Sequence, residues 1–103
     1  MGLRARHDIV DDVHVVSFSG ELDLGTVPVL ADALNKAIVE AGHTVAVDLD
    51  GVGRPDDNAL GVMVTAAARA SDAGKRLVIV CSDHHLIPRL DRFSLPHLPN
   101  LER

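Results

Sequence analysis

The chain has 103 residues, of which 47% are hydrophobic and only 2% aromatic. This length supports a single domain over residues 1–103, with one core built from Val, Leu, Ile and Ala. Its net charge of −5 argues against a nucleic-acid-binding protein that uses a basic surface. No run approaches about 18 apolar residues, and no apolar stretch follows the charged N-terminus. We therefore expect a cytoplasmic protein with neither a membrane span nor a secretory signal.

The first part of the chain predicts two strands and a helix. Alternating residues over 4–10 and 13–20 predict strands that are joined by a short acidic turn. Thr26 is the predicted N-cap of the helix, Pro28 is tolerated in its first turn, and Gly42 ends it. The inner face of this helix is expected to comprise Leu30, Ala33, Leu34, Ala37, Ile38 and Ala41.

The remaining chain continues the alternation of strands and helices. A strand over 45–49 precedes a helix from about Asn58 to Ala73, and the apolar run 76–81 predicts a central strand covered on both faces. The inner face of the second helix is expected to comprise Leu60, Met63, Val64, Ala67 and Ser71. Pro88 predicts a third helix that is kinked or begins late, and a last short strand is expected within 97–101. This order is typical of an α/β fold with parallel pairing.

Acidic residues follow two of the predicted strands. Glu21 and Asp23 lie in the segment GELDLGT, and Asp56 and Asp57 lie side by side in RPDDNALGVMV. Both segments connect the end of a strand to the start of a helix, where α/β folds commonly place their binding sites. The candidate site therefore lies between these two turns.

The residue pattern of the second turn leaves several interpretations open. Asp56 and Asp57 could cap the helix, because a first helical turn exposes unpaired N–H groups and a partial positive charge. They could also hold Mg²⁺, which accepts one or two carboxylates together with water. A catalytic acid–base pair lacks support, since no nucleophile or His accompanies them in the sequence. The segment GVGRP has glycines but lacks the Lys-Ser/Thr pair of a phosphate loop. We predict neither an enzyme nor a cofactor site.

Histidine and cysteine residues outside the turns predict no metal site. Adjacent residues on a helix diverge by about 100 degrees, so His84 and His85 are expected on the surface rather than at one ion. Cys81, the only cysteine, ends an apolar run and is expected to be a buried structural thiol.

Three segments carry a resemblance to a known family: GELDLGT, then VDLDGV, then the turn RPDDNALGVMV. From about His7 to Leu101 the chain resembles the STAS domain, and above all the bacterial anti-sigma-factor antagonists. This resemblance implies a mixed, mainly parallel sheet of four to five strands with about three helices. It also implies an interaction domain without enzymatic activity, whose partner is a kinase-like anti-sigma factor. Binding this partner would release a sigma factor for transcription.

The second turn departs from the family pattern at the position that regulates the relatives. The family motif reads Asp-Ser, a small residue and Gly-Leu-Gly, and Asp56, Leu60 and Gly61 match it. The Ser that the kinase phosphorylates in the family aligns with Asp57, and no Ser or Thr lies within 54–63. The resemblance therefore implies a domain that phosphorylation of this Ser position cannot switch.

The resemblance places the expected partner surface on the first loop and on the second turn with its helix. Its residues are Glu21, Asp23, Thr26, Asp56, Asp57, Asn58, Leu60 and Gly61. Two other roles of STAS domains remain open, namely a subunit bound to an ABC-transporter ATPase and a scaffold module of a multi-protein sensor complex.

Overall fold

A computed structural model describes residues 2–99 and contains five strands and three α-helices in this range. The elements, in chain order, are β1 (Leu3–Val10), β2 (Val13–Gly20), α1 (Val27–Glu40), β3 (Thr44–Val52), α2 (Asp57–Asp72), β4 (Arg76–Val80), α3 (Ile87–Arg92) and β5 (His97–Leu98). A short 3-10 turn at Leu24–Thr26 precedes α1. Within the described range, no helix combines the length and the apolar character that a membrane crossing requires.

The five strands form one mixed sheet in the order β1-β2-β3-β4-β5. The pairing of β1 with β2 is antiparallel, and the other three pairings are parallel, as expected from the sequence. Asp11 and Asp12 connect β1 to β2 with φ angles of 50° and 66°. Two residues with positive φ make a type I′ hairpin turn, and Asp tolerates this left-handed conformation better than most residues.

All three helices pack on the same face of the sheet. Each crossover moves to the next strand in the same direction, so the usual right-handed crossovers place every helix on one side. The core cluster accordingly joins the helices to one strand face; its members include Val16, Phe18, Leu34, Val47, Leu60, Met63, Ile79 and Leu90. Ala46 and Val78 are buried but lie outside this cluster, on the opposite face by strand alternation. Leu77, Val78 and Ile79 are buried, so both faces of this strand are covered as predicted, although the helices pack on only one of them.

The buried face of α2 differs from the predicted one. Leu60 and Met63 are buried as predicted, but Val64 and Ser71 are exposed and Ala67 is half-buried. The buried residues of the helix are Ala59, Leu60, Met63, Ala66 and Ala70. Alanines on this face let the helix backbone approach α1 and β4 closely, so the larger Val64 is left on the surface. The sequence prediction favoured the bulkier residues, so the predicted buried face differs from the observed one by about one residue position.

Pro88 explains the short third helix. It occupies the second position of α3, which begins at Ile87, so the predicted late start is confirmed. A proline in the first turn costs no intrahelical hydrogen bond, because the N–H groups there have no partner in the helix. The last strand, His97–Leu98, falls inside the predicted segment 97–101, whose residues 100 and 101 lie outside the described range.

Candidate functional site

The two acidic turns leave the sheet side by side because β2 and β3 are parallel neighbours. Gly20 pairs with Val52 at the ends of these strands, and the Gly53 N–H donates to the carbonyl oxygen of Gly20 at 3.3 Å. A Cβ atom at Gly51 would come within 2.6 Å of the Phe18 carbonyl oxygen. A glycine at this position therefore permits the close strand approach that brings the two turns together.

Asp23 and Thr26 close the first turn with reciprocal hydrogen bonds. The Thr26 N–H donates to Asp23 Oδ1 at 3.2 Å, and the Asp23 N–H donates to Thr26 Oγ1 at 3.1 Å. The Thr26 hydroxyl also donates to the carbonyl oxygen of Glu21 at 2.7 Å. Thr26 precedes α1 as predicted, but its side chain makes no capping hydrogen bond to that helix. Its hydroxyl instead fixes the shape of the loop.

Asp56 is the residue that caps α2. Its Oδ1 atom accepts a hydrogen bond from the Ala59 N–H at 2.9 Å. Its own N–H donates to the carbonyl oxygen of Leu22 at 3.1 Å, which ties the second turn to the first. Leu22 is only 2% exposed, so this link is anchored in the core. Asp56 therefore supplies the capping hydrogen bond, and Asp57 lies beside it as an acidic residue in the first turn of the helix.

Asp57 has a different environment from its neighbour. Its side chain is 78% exposed, and its Oδ1 atom lies 2.9 Å from Nη2 of Arg89 on α3. The Arg89 side chain is 25% exposed and is therefore held more firmly by its surroundings. Sequence reasoning missed Arg89, because the two residues are 32 positions apart and only the packing of α3 beside the second turn brings them together. No local pattern carries this information.

The structure divides the eight predicted partner-binding residues into surface and interior. Exposed residues are Glu21, Asp57 and Asn58, and half-buried residues are Asp23, Asp56 and Gly61. Leu60 is fully buried and Thr26 is 8% exposed, so neither offers a side chain to another protein. A Cβ atom at Gly61 would meet nothing within 4 Å, which shows that the surface above this part of α2 is open.

The sequence prediction omitted an exposed apolar side chain in the first acidic loop. Leu24, in the 3-10 turn, is 69% exposed and belongs to the same loop as Glu21 and Asp23. Apolar anchors surrounded by polar groups are typical of protein–protein contacts. In the segment GELDLGT, Leu24 lies between Asp23 and Gly25. An apolar residue in this polar loop was the sequence signal that could have identified it as exposed.

The two adjacent carboxylates of the second turn have different partners. The carboxylate of Asp56 accepts from the helix backbone, whereas the carboxylate of Asp57 pairs with Arg89. Among residues 2–99, no group of three or more His, Cys, Asp or Glu side chains is arranged to hold a metal ion.

Cys81 is 1% exposed, which confirms the predicted buried thiol. Burial raises the pKa of this thiol, although hydrogen bonding with the backbone of Asp83 acts in the opposite direction. The backbone N–H of Asp83 lies 3.3 Å from the Cys81 sulfur. A buried thiol with a raised pKa has the environment of a structural cysteine.

A pair of histidines lies apart from the two turns, beneath the end of α1. Nδ1 of His7 on β1 is 2.9 Å from Nε2 of His14 on β2, and the ring centroids are 5.2 Å apart. Burial and then the neighbouring His14 lower the pKa of His7. His14 is 5% exposed, and its Nδ1 atom has no hydrogen-bond partner. His7 and His14 are seven positions apart in the chain, and the register of the hairpin brings them together.

Comparisons with known proteins agree with this architecture. A sequence profile described as "Mlab, STAS domain" matches residues 5–98. No curated protein matches the sequence. A solved anti-sigma factor antagonist from Mycobacterium paratuberculosis has a similar fold, with a TM-score of 0.79 and 20% identity over 97% of this chain and 88% of that chain.

Two further structures share the fold. A putative anti-sigma factor antagonist from Thermotoga maritima has a TM-score of 0.78 and 20% identity, over 95% of this chain and 88% of that chain. The antagonist SpoIIAA in its unphosphorylated form has a TM-score of 0.73 and 16% identity, over 96% of this chain and 91% of that chain. The TM-scores show a common fold, and the profile covers nearly the whole sequence. The chain therefore belongs to the STAS domain family.

Proposed function

We propose that this domain is an anti-sigma-factor antagonist, which binds a kinase-like anti-sigma factor and thereby releases a sigma factor. The observation that carries the proposal is the hydrogen bond from Asp56 to Leu22, which joins the two turns into one rigid surface. Glu21, Leu24 and Asp57 are exposed on that surface. The similarity to solved antagonists supports the same role. The domain acts by occupying its partner and needs no catalytic group of its own.

The exposed chemistry of the two turns suits a protein partner. Leu24 provides an apolar anchor, and the carboxylates of Glu21 and Asp57 lie on the same pair of turns. A contact of standard size buries about 800 Å² on each partner. The open surface of α2 beside Gly61 extends the contact area.

Asp57 removes one mode of regulation in this proposal. Carboxylates have no hydroxyl for a serine kinase to modify, so the anti-sigma factor cannot add phosphate at this position. Asp carries about one negative charge, whereas phosphoserine carries about −1.5 to −2 and three acceptor oxygens. Asp57 is therefore a weak substitute for the phosphorylated state, and we propose an antagonist that binds without this switch.

A binding experiment with a matched control tests the proposed surface. Each kinase-like anti-sigma factor of the source genome is purified and titrated with the domain and with its Leu24→Asp and Val39→Asp variants. Leu24 and Val39 are both exposed apolar residues, at 69% and 78%, but Val39 lies near the end of α1, away from the turns. We expect Leu24→Asp to weaken binding by roughly 30-fold or more, as for an anchor residue, and Val39→Asp to leave it unchanged. A wild-type domain that binds none of these proteins contradicts the proposal.

A second experiment tests whether the anti-sigma factor can phosphorylate position 57. The wild type and the Asp57→Ser variant are incubated with the anti-sigma factor and ATP, and the intact masses are measured. We expect phosphate on the variant only, because the variant alone has a hydroxyl at this position. Phosphate on the wild-type peptide 54–64 would show that the turn is regulated after all.

The family profile is described as "Mlab, STAS domain" and not as an antagonist, so the same experiment includes the two other STAS roles. Purified ABC-transporter ATPases and sensor-complex subunits of the source genome are titrated in parallel. Binding to one of these proteins that depends on Leu24, with no binding to any anti-sigma factor, would replace the proposed function.

A further inference from the structure

We propose that Arg89 keeps the partner surface competent for binding by neutralising the charge of Asp57. This inference rests on the proposed function and adds to it a residue of α3 that acts through Asp57. In it, Asp57 and Arg89 form a unit whose net charge is near zero at neutral pH. The second turn therefore presents less negative charge than its sequence suggests.

The carboxylates of the two turns are engaged in different ways. Asp23 and Asp56 accept backbone N–H groups at 3.2 and 2.9 Å and stabilise the loops themselves. Glu21 and Asp57 are the exposed carboxylates of the surface. Of these four residues, only Asp57 forms an ion pair within residues 2–99. Arg89 therefore compensates the negative charge of the residue that aligns with the phosphorylated Ser of the relatives.

Contacts that do not involve Asp57 hold the helix that carries Arg89. Its helix is anchored by Leu86 and Leu90, which are 3% and 0% exposed, on either side of Arg89. The loop that leads to α3 is fixed to β3, because the N–H and the hydroxyl of Ser82 donate to the Asp50 carboxylate at 2.8 and 3.1 Å. The backbone at Arg89 is therefore held where its side chain reaches the second turn.

The same geometry makes the pair dispensable for folding. Asp57 is 78% exposed, and ion pairs with an exposed partner contribute little to stability because water and salt screen them. A change in Arg89 should consequently leave the fold intact and alter the charge that a partner meets. Phosphorylation of the aligned Ser would add negative charge at this turn, and in this proposal such charge weakens binding of the partner. An Asp57 without its arginine would act in that direction.

Four variants distinguish whether Arg89 compensates the charge of Asp57 or contacts the partner directly. The anti-sigma factor that binds the wild type is titrated with Arg89→Gln, Asp57→Asn, the double variant and Arg92→Gln. The last removes a positive charge from an exposed position on the same helix. We expect Arg89→Gln to weaken binding roughly tenfold, mainly through slower association that is sensitive to salt. The double variant should restore binding to within about twofold of the wild type, because it leaves no charge to compensate. Arg92→Gln should have no effect.

Recovery of binding by the double variant is the decisive result, because a purely structural or direct-contact role of Arg89 predicts no recovery. Equal weakness of Arg89→Gln and the double variant, or full binding by Arg89→Gln, would overturn the inference. In the free protein, the NMR signal of the Arg89 side-chain N–H should also shift in Asp57→Asn, and no shift would overturn it too. A wild type that binds no anti-sigma factor would instead overturn the proposed function and this inference with it. Wild-type binding without rescue would overturn this inference alone.

Discussion

Replacement of Asp56 by Ala should destabilise the domain through the loss of one helix cap. The Asp56 carboxylate accepts the Ala59 N–H at 2.9 Å, and an Ala side chain leaves this donor without a partner. The backbone bond from residue 56 to Leu22 survives, because it does not involve the side chain. Removing an Asp N-cap costs about 0.5–2 kcal/mol of unfolding free energy, typically about 1 kcal/mol. For a domain of this size, about 1 kcal/mol lowers the melting temperature by roughly 4–8 °C.

Urea denaturation followed by circular dichroism measures this effect. With a typical slope of about 1–3 kcal/mol per molar urea, a loss of about 1 kcal/mol moves the midpoint down by roughly 0.3–1 M. Asp56→Asn is the matched control, because Asn is as good an N-cap as Asp, and its midpoint should stay near that of the wild type. Asp72→Ala removes an exposed carboxylate from the other end of α2 and should leave stability unchanged or slightly raised.

Two results would refute the reasoning about Asp56. If Asp56→Asn lost as much stability as Asp56→Ala, the charge and not the hydrogen-bond acceptor would be responsible. If Asp56→Ala kept the wild-type midpoint, the contact at Ala59 would not stabilise the helix. Either outcome would remove the physical distinction that the structure makes between Asp56 as a cap and Asp57 as an exposed ion-pair partner.

Two further predictions concern the rest of the fold. The pKa of His7 is lowered in the folded protein by burial, then by His14 and by Lys36 of α1, while Glu40 and Asp8 oppose this shift. The unfolded chain therefore binds a proton more readily, so stability should fall as the pH drops from about 6.5, and His7→Gln should flatten this dependence in urea titrations. Equal slopes for the two proteins between about pH 7 and pH 5 would contradict the assignment. Separately, amide hydrogen exchange should be faster over residues 82–98 than over 44–49 and 76–80, because α3 has only six residues and β5 only two. Equal protection in these segments would show that the C-terminal edge is as stable as the central strands.

Local patterns in the sequence were sufficient for the element order and for the location of the candidate site. Alternation over 13–20 and the apolar run 76–81 predicted strands that the structure contains, and Pro88 predicted the late start of α3. Acidic residues after β2 and β3 predicted two turns at one edge of the sheet. These inferences succeed because strand and helix periodicity, and the restriction that proline imposes, act over a few residues.

The roles of individual side chains were decided by tertiary structure. The sequence could not tell Asp56 from Asp57, since both precede a helix; the fold makes one a cap and gives the other an arginine from α3. The fold also pairs His7 with His14 through the register of the hairpin. It places alanines, and not Val64, on the inner face of α2. Such contacts join residues that are distant in the chain, and they depend on strand register and helix packing. Periodicity fixes which elements form, but only the packed sheet and helices determine which side chains meet.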